Sequence, residues 1–195
     1  MNVAKLILGF APWIAYTVIV NWAGPTSVPI AALVALAIAV ALIVRTVLHG
    51  ATAKILEVTG AVLFAVYAVV AFAAPATEPF LAGFGRALST LALVVVILAT
   101  LPVRPFTEQY ARESVPQSVW NTPRFRAVNR RISAAWGVGV LVMALAHTLA
   151  GLLENPAANL LLNWGVPIAV FVIVLGYTKR TAAARHQNAS SRSPR

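Results

Sequence analysis

The chain has 195 residues, 60% of them hydrophobic and only 10% charged, with a mean hydropathy of +0.84. A soluble domain carries about 25% charged residues, so these charges cannot cover a water-facing surface. With no Cys and no Asp, and with acid groups limited to five Glu, the chain has no disulfides, thiolate metal sites, Cys nucleophiles or Asp-dependent catalytic motifs.

The composition predicts an all-α, polytopic integral membrane bundle. A helix crossing the hydrocarbon layer needs about 20 mostly apolar residues, and six runs answer that description: Leu6–Trp22, Pro29–Leu48, Ile55–Ala74, Arg86–Val103, Ile132–Leu153 and Leu160–Tyr177. Turn chemistry separates them, at Gly24-Pro25, His49-Gly50, Pro75 with Pro79, and Asn155-Pro156. Residues 1–177 then form one transmembrane domain, and residues 178–195 a basic tail expected to be disordered after its first turn. Asn21-Trp22-Ala23 lacks the small residues of a cleavage site, so the first run reads as a span rather than a signal peptide.

With six spans, fourteen of the fifteen Lys and Arg fall on one side, together with both termini; only Arg86, with Glu78 and Glu154, falls on the other. The positive-inside rule makes the basic side cytoplasmic, an N-in/C-in topology. The net charge of +10 is thereby assigned to orientation and to contact with anionic lipid headgroups rather than to nucleic acid.

In the first span, Pro12 is expected to free the Leu8 carbonyl and kink the helix. Small residues at Ala31, Ala35 and Ala39, and at Ala61, Ala65 and Ala68, predict close helix packing. Glu57 one turn after Lys54 predicts an ion pair at the end of the third span.

The longest loop, Arg104–Arg131, places Phe106 and Tyr110 four apart and adds Trp120 and Phe125 among Arg124, Arg126, Arg130 and Arg131. It reads either as a solvated connector or as an amphipathic segment lying in the headgroup layer, where it could also meet other membrane proteins. Thr122-Pro123 is a candidate cap and first turn for the fifth helix.

Polar residues within the spans are few. Folding the last two spans back at Asn155 brings His147 level with Asn163, while Pro167 leaves the Asn163 carbonyl without its helical donor. His147, Asn159, Asn163 and Pro167 form a candidate polar notch: either an ordinary interhelical hydrogen bond or a ligand or proton site. For a membrane enzyme the candidate acid–base groups are His147, His49, Glu108 and Glu113, but they are scattered over opposite faces without nucleophile–base spacing.

The short first span with Pro12, the Arg104-Pro105-Phe106 step, Pro116 with Val119-Trp120, then Asn129 and Trp136, resemble the intracellular septation protein A family, also called the inner-membrane-spanning YciB family. The resemblance runs from about Leu6 to Tyr177. His147 stands where that pattern has Asn, and Gly165 where it has Lys, both at the notch. The resemblance implies a multi-pass protein of the bacterial inner membrane with a non-enzymatic role in envelope maintenance and septation, and the first expectation is a membrane scaffold or homeostasis factor that binds other membrane proteins through its small-residue faces and the Arg104–Arg131 loop. It implies partners in the division machinery, and no cofactor. A small transporter or channel for a weakly polar or lipid-like solute is the other function the sequence admits.

Overall fold

The computed structural model describes residues 3–153 and 155–190, and side chains over 5–153 and 155–183. Glu154, Arg192 and Arg195, which enter the charge argument above, lie outside the described residues. Among the described residues the regular structure is entirely helical: α1 Val3–Leu8, α2 Ala11–Ala23, α3 Val28–Leu48, α4 Ile55–Ala73, α5 Glu78–Thr100, α6 Phe106–Arg112, α7 Pro123–Leu153, α8 Pro156–Leu160 and α9 Val166–Ser190. Proline occupies the first turn of α2, α3, α5 and α8, where its missing N–H costs nothing. Gly24 closes α2 at φ 78°, a left-handed conformation that glycine adopts without strain.

Five helical segments are long and apolar enough to cross a membrane: Pro25–Leu48, Ile55–Ala73, Pro75–Thr100, Pro123–Leu153 and Pro156–Ala183. The predicted first span is not one continuous helix. It breaks at Gly9-Phe10 into the six residues of α1 and the thirteen of α2, because Pro12 cannot continue the helix through its own turn. The predicted fourth span also shifts. The helix α5 begins at Glu78, with Pro79 in its first turn, and not at Arg86, so Arg86 stands two turns inside the helix. Beyond Tyr177, where a disordered tail is expected over 178–195, α9 continues to Ser190, and residues 191–195 of that stretch lie outside the described residues. Ala, Arg, Lys and Gln in that stretch favour helix, and extending an existing helix needs no new nucleus.

Helices pack α2 on α3, α3 on α4, α5 on α7 and α7 on α9. Lipid is as apolar as the side chains, so close backbone approach and polar contacts hold such pairs together. Ala31, Ala35 and Ala39 are wholly buried. The buried small residues of α4 are Gly60, Ala68 and Ala71, and a Cβ at Gly60 would lie 3.7 Å from that of Ala39; Ala61 and Ala65 are half-buried. On α7, a Cβ at Gly139 would lie 2.8 Å from Val174 Cγ2, which shows how tightly α9 is drawn in.

An aromatic cluster ties the bundle together. Trp13 and Tyr16 of α2 meet Phe64 of α4 at ring-centroid distances of 5.6 and 5.4 Å. Phe10, in the break before α2, stacks on Trp136 of α7 at 5.5 Å and meets Phe171 of α9 edge-on at 5.7 Å.

Candidate functional site

Arg86 is 7% exposed, and its Nε and Nη1 have no hydrogen-bond partner. Among the described residues no carboxylate pairs with it; the ion pairs there lie at the other end of the bundle. Its surroundings are hydroxyl-rich but already committed. Ser89 Oγ and Thr90 Oγ1 both donate to the Arg86 carbonyl, at 2.9 and 2.7 Å. Tyr16 donates to the Leu81 carbonyl at 3.0 Å and Tyr67 to that of Gly85 at 2.8 Å. Each hydroxyl oxygen keeps lone pairs that could accept a further hydrogen bond, yet none accepts from Nε or Nη1 of the guanidinium. A buried charge without a partner is costly, and within a membrane bundle it marks a functional site by default.

The notch residues come together beside it. His147 Nδ1 lies 2.7 Å from Asn163 Oδ1, and Asn163 Nδ2 donates to Asn159 Oδ1 at 2.6 Å. Because the Asn163 amide nitrogen is used on Asn159, its oxygen accepts, and Nδ1 of His147 carries the proton. The helix passes Pro167 by way of a π turn, Leu161–Gly165, in which the Val166 N–H reaches back to the Leu161 carbonyl. Pro167 offers no N–H to the Asn163 carbonyl, and the wider turn absorbs that missing bond.

Two clefts meet at these residues. One, about 350 Å³, lies among α2, α5, α7 and α9, with Phe10, Trp13, Trp136, Trp164, Pro167 and Phe171 on its apolar walls. The other, about 410 Å³, opens among the turns that hold Pro25, Pro79 and Asn155, with Asn21 and Asn159 beside them. Arg86 and Asn163 line both, and His147 lines the apolar one.

The loop is built differently from an exposed amphipathic segment. Phe106, Tyr110 and Phe125 are buried and α6 packs on α7. Thr107 joins the two helices: its Oγ1 donates to the Asn129 carbonyl at 3.0 Å and contacts Ser133 Oγ at 2.8 Å, while its N–H donates to that same oxygen. Thr122 Oγ1 accepts the Phe125 N–H at 3.3 Å at the start of α7. Trp120 is half-buried, with the Arg112 Cζ 4.9 Å from the Trp120 ring centroid. Arg124, Arg126, Arg130 and Arg131 are exposed. Nearby, Glu113 accepts Lys5 at 2.9 Å and Lys54 at 3.0 Å, and Glu57 accepts Thr46 Oγ1 and caps the N–H of Lys54.

The four acid–base candidates do not converge. His147 is engaged by Asn163, Glu108 is paired with Arg112, and Glu113 is held by two lysines. His49 shares a small cleft of about 110 Å³ with Glu113, but its Nδ1 is 2.7 Å from the Arg45 carbonyl.

Residue spacing alone missed Arg86 and the aromatic walls. The signal was Pro79, a helix starter two turns upstream that moves Arg86 from the edge of a span to its interior. Compared with protein-family models, curated proteins and solved structures, the chain finds no match in any of the three.

Proposed function

We propose that the chain is a non-enzymatic, six-crossing protein of the bacterial inner membrane that takes a lipid-like solute into the chamber among α2, α5, α7 and α9. The observation that carries this reading is that cleft, a half-open chamber of about 350 Å³ lined mostly by apolar side chains, with Arg86, His147 and Asn163 among its polar lining. That size and that mixture of aromatic wall and few polar groups suit a small-molecule site. Envelope maintenance, as the process served, rests on the resemblance to the septation family alone.

The sixth crossing is α1 and α2 taken together, residues 3–23. Support for a shared cytoplasmic end comes from the contact of Lys5, Lys54 and Glu113, and for the opposite end from the cleft that joins Pro25, Pro79 and Asn155. Orientation follows from the distribution of Lys and Arg. The exposed Arg124, Arg126, Arg130 and Arg131 then face anionic headgroups, at about 1 kcal/mol each. A fluorescent fusion at the C-terminus that is dark, with an active phosphatase fusion at the same place, would reverse this topology.

Trp13, Trp136 and Trp164 line the chamber, whereas Trp22 is 84% exposed. In a Trp22→Phe/Trp120→Phe background, an uncharged brominated alkyl alcohol should quench the remaining fluorescence saturably. Thr17→Phe, which fills the chamber from α2, should abolish that saturation. Quenching that rises linearly with probe and ignores Thr17→Phe would reject the reading.

A further inference from the structure

We infer that Arg86 anchors an acidic head group, so that the chamber takes an amphiphile with one carboxylate or phosphate head and an apolar chain. This rests on the chamber being a ligand site, and it adds the chemistry of the ligand. The head pairs with the guanidinium; the chain lies among Phe10, Trp13, Trp136 and Phe171.

Three observations carry it. First, Arg86 is more than nine-tenths buried and two of its three nitrogens have no hydrogen-bond partner. A guanidinium cannot shed its proton under ordinary conditions, so a buried one requires a counter-charge. Second, nothing described around it supplies that charge. The groups there, the hydroxyls of Tyr16, Tyr67, Ser89 and Thr90 and the amide of Asn163, are neutral, and none accepts from Nε or Nη1. Third, Arg86 stands where the two clefts meet. The cleft among the turns is lined by Asn21, Asn155 and Asn159 and suits the approach of a polar head; the aromatic chamber suits an alkyl chain. A bare inorganic anion would use the guanidinium alone, whereas an amphiphile uses both. The planar fork of Arg matches carboxylate and phosphate oxygens two at a time, which an ammonium does not.

The head chemistry has two sources, a phospholipid of the surrounding bilayer or a free acid such as a fatty acid. The test uses the full chain in the Trp22→Phe/Trp120→Phe background. In detergent, dibromostearate and its methyl ester are titrated; in phosphatidylcholine nanodiscs, brominated phosphatidylglycerol is the probe, with unlabelled stearate as competitor. Dibromostearate should bind at least about tenfold more tightly than the ester, the range of one charge-assisted hydrogen-bonded pair. Arg86→Gln should remove that preference and leave ester binding in place, and Arg86→Lys should retain part of it. Saturable quenching by phosphatidylglycerol that stearate does not displace assigns the site to bilayer lipid; displacement by stearate assigns it to a free acid. Equal affinity for acid and ester in the unsubstituted Arg86 protein overturns the anchor while the chamber stands, and needs no variant to fold. Absence of saturable quenching by either probe overturns both.

Discussion

Lys54, at the start of α4, and Glu113, just past α6, meet at 3.0 Å, and the second oxygen of the same carboxylate receives Lys5 at 2.9 Å. One carboxylate thus fastens the first helix, the fourth and the loop into a single end of the bundle. Lys54 also lies 5.1 Å over the Tyr110 ring, and the Tyr110 hydroxyl occupies the space beside Gly9, where a Cβ would come within 2.9 Å of it.

This junction carries a pH dependence. Partial burial pushes the Glu113 carboxyl up, but hydrogen bonds from Lys5 and Lys54, with their charges, outweigh it and hold the carboxyl below its ordinary range. A group whose pKa is depressed in the folded state stabilises above its unfolded value, about 4.3, and that stabilisation is lost as pH falls through the folded value. Glu113→Gln should therefore lower stability by about 1 kcal/mol at pH 7, since screening limits a partly solvated pair. Thermal unfolding in detergent should show the gap between the two proteins narrowing as pH falls below about 4.3 and closing only once the pH is below the depressed folded value. A difference that persists unchanged into acid would assign the loss to packing instead.

Gly85 and Tyr16 are fitted to each other. A Cβ at Gly85 would lie 2.5 Å from the Tyr16 hydroxyl oxygen and 3.3 Å from Cζ, and that hydroxyl is fixed by its bond to Leu81. Gly85→Ala should destabilise by about 1–3 kcal/mol despite the better helix propensity of Ala. In a Tyr16→Phe background the same substitution should cost little, because the atom in the way is gone. A double-mutant cycle in which the two effects simply add would refute the fit.

Thr107 decides whether α6 stays on α7. Replacing it with Val keeps the shape and removes the donor to the Asn129 carbonyl and the contact to Ser133. The cost should be about 1–3 kcal/mol, the range for leaving buried partners unsatisfied. Trypsin should then cleave after Arg112 sooner than in the native chain, and Thr107→Ser should restore most of the protection. Equal cleavage rates for native and Val proteins would show that apolar contacts alone hold the loop.

Much of this architecture can be read from residue order. Apolar length marks the helices, and Pro29, Pro79, Pro123 and Pro156 mark where they start. His147 and Asn163 can be paired by reflecting two helices about Asn155, because a short turn forces antiparallel neighbours into register. Three-dimensional placement is another matter. Phe106, Tyr110 and Phe125 look like interfacial aromatics because their spacing is amphipathic, and only the docking of α6 on α7 shows that the apolar side is covered by protein. Arg86 looks like a boundary charge because a hydropathy run ends at it. Its burial depends on Pro79 starting the helix earlier and on Tyr16 and Tyr67 closing over that turn, neither of which a local pattern contains.

His147 and Asn163 give the sharpest division between packing and binding. Their 2.7 Å contact belongs to a class worth about 0.6 kcal/mol on average in membrane bundles, and under about 2 at most. His147→Leu and Asn163→Leu should each cost about that much in reversible unfolding in mixed micelles, and the double variant little more than either, since one bond is shared. Asn163→Leu should cost the more of the two, because it also strands Asn159, which accepts from the Asn163 amide at 2.6 Å. Binding of dibromostearate separates a structural role from a positioning one. Asn163 lines both clefts beside Arg86, so Asn163→Leu should weaken acid binding more than ester binding. Equal weakening of both would show that the pair holds α7 to the turn before α9 and does nothing for the head group.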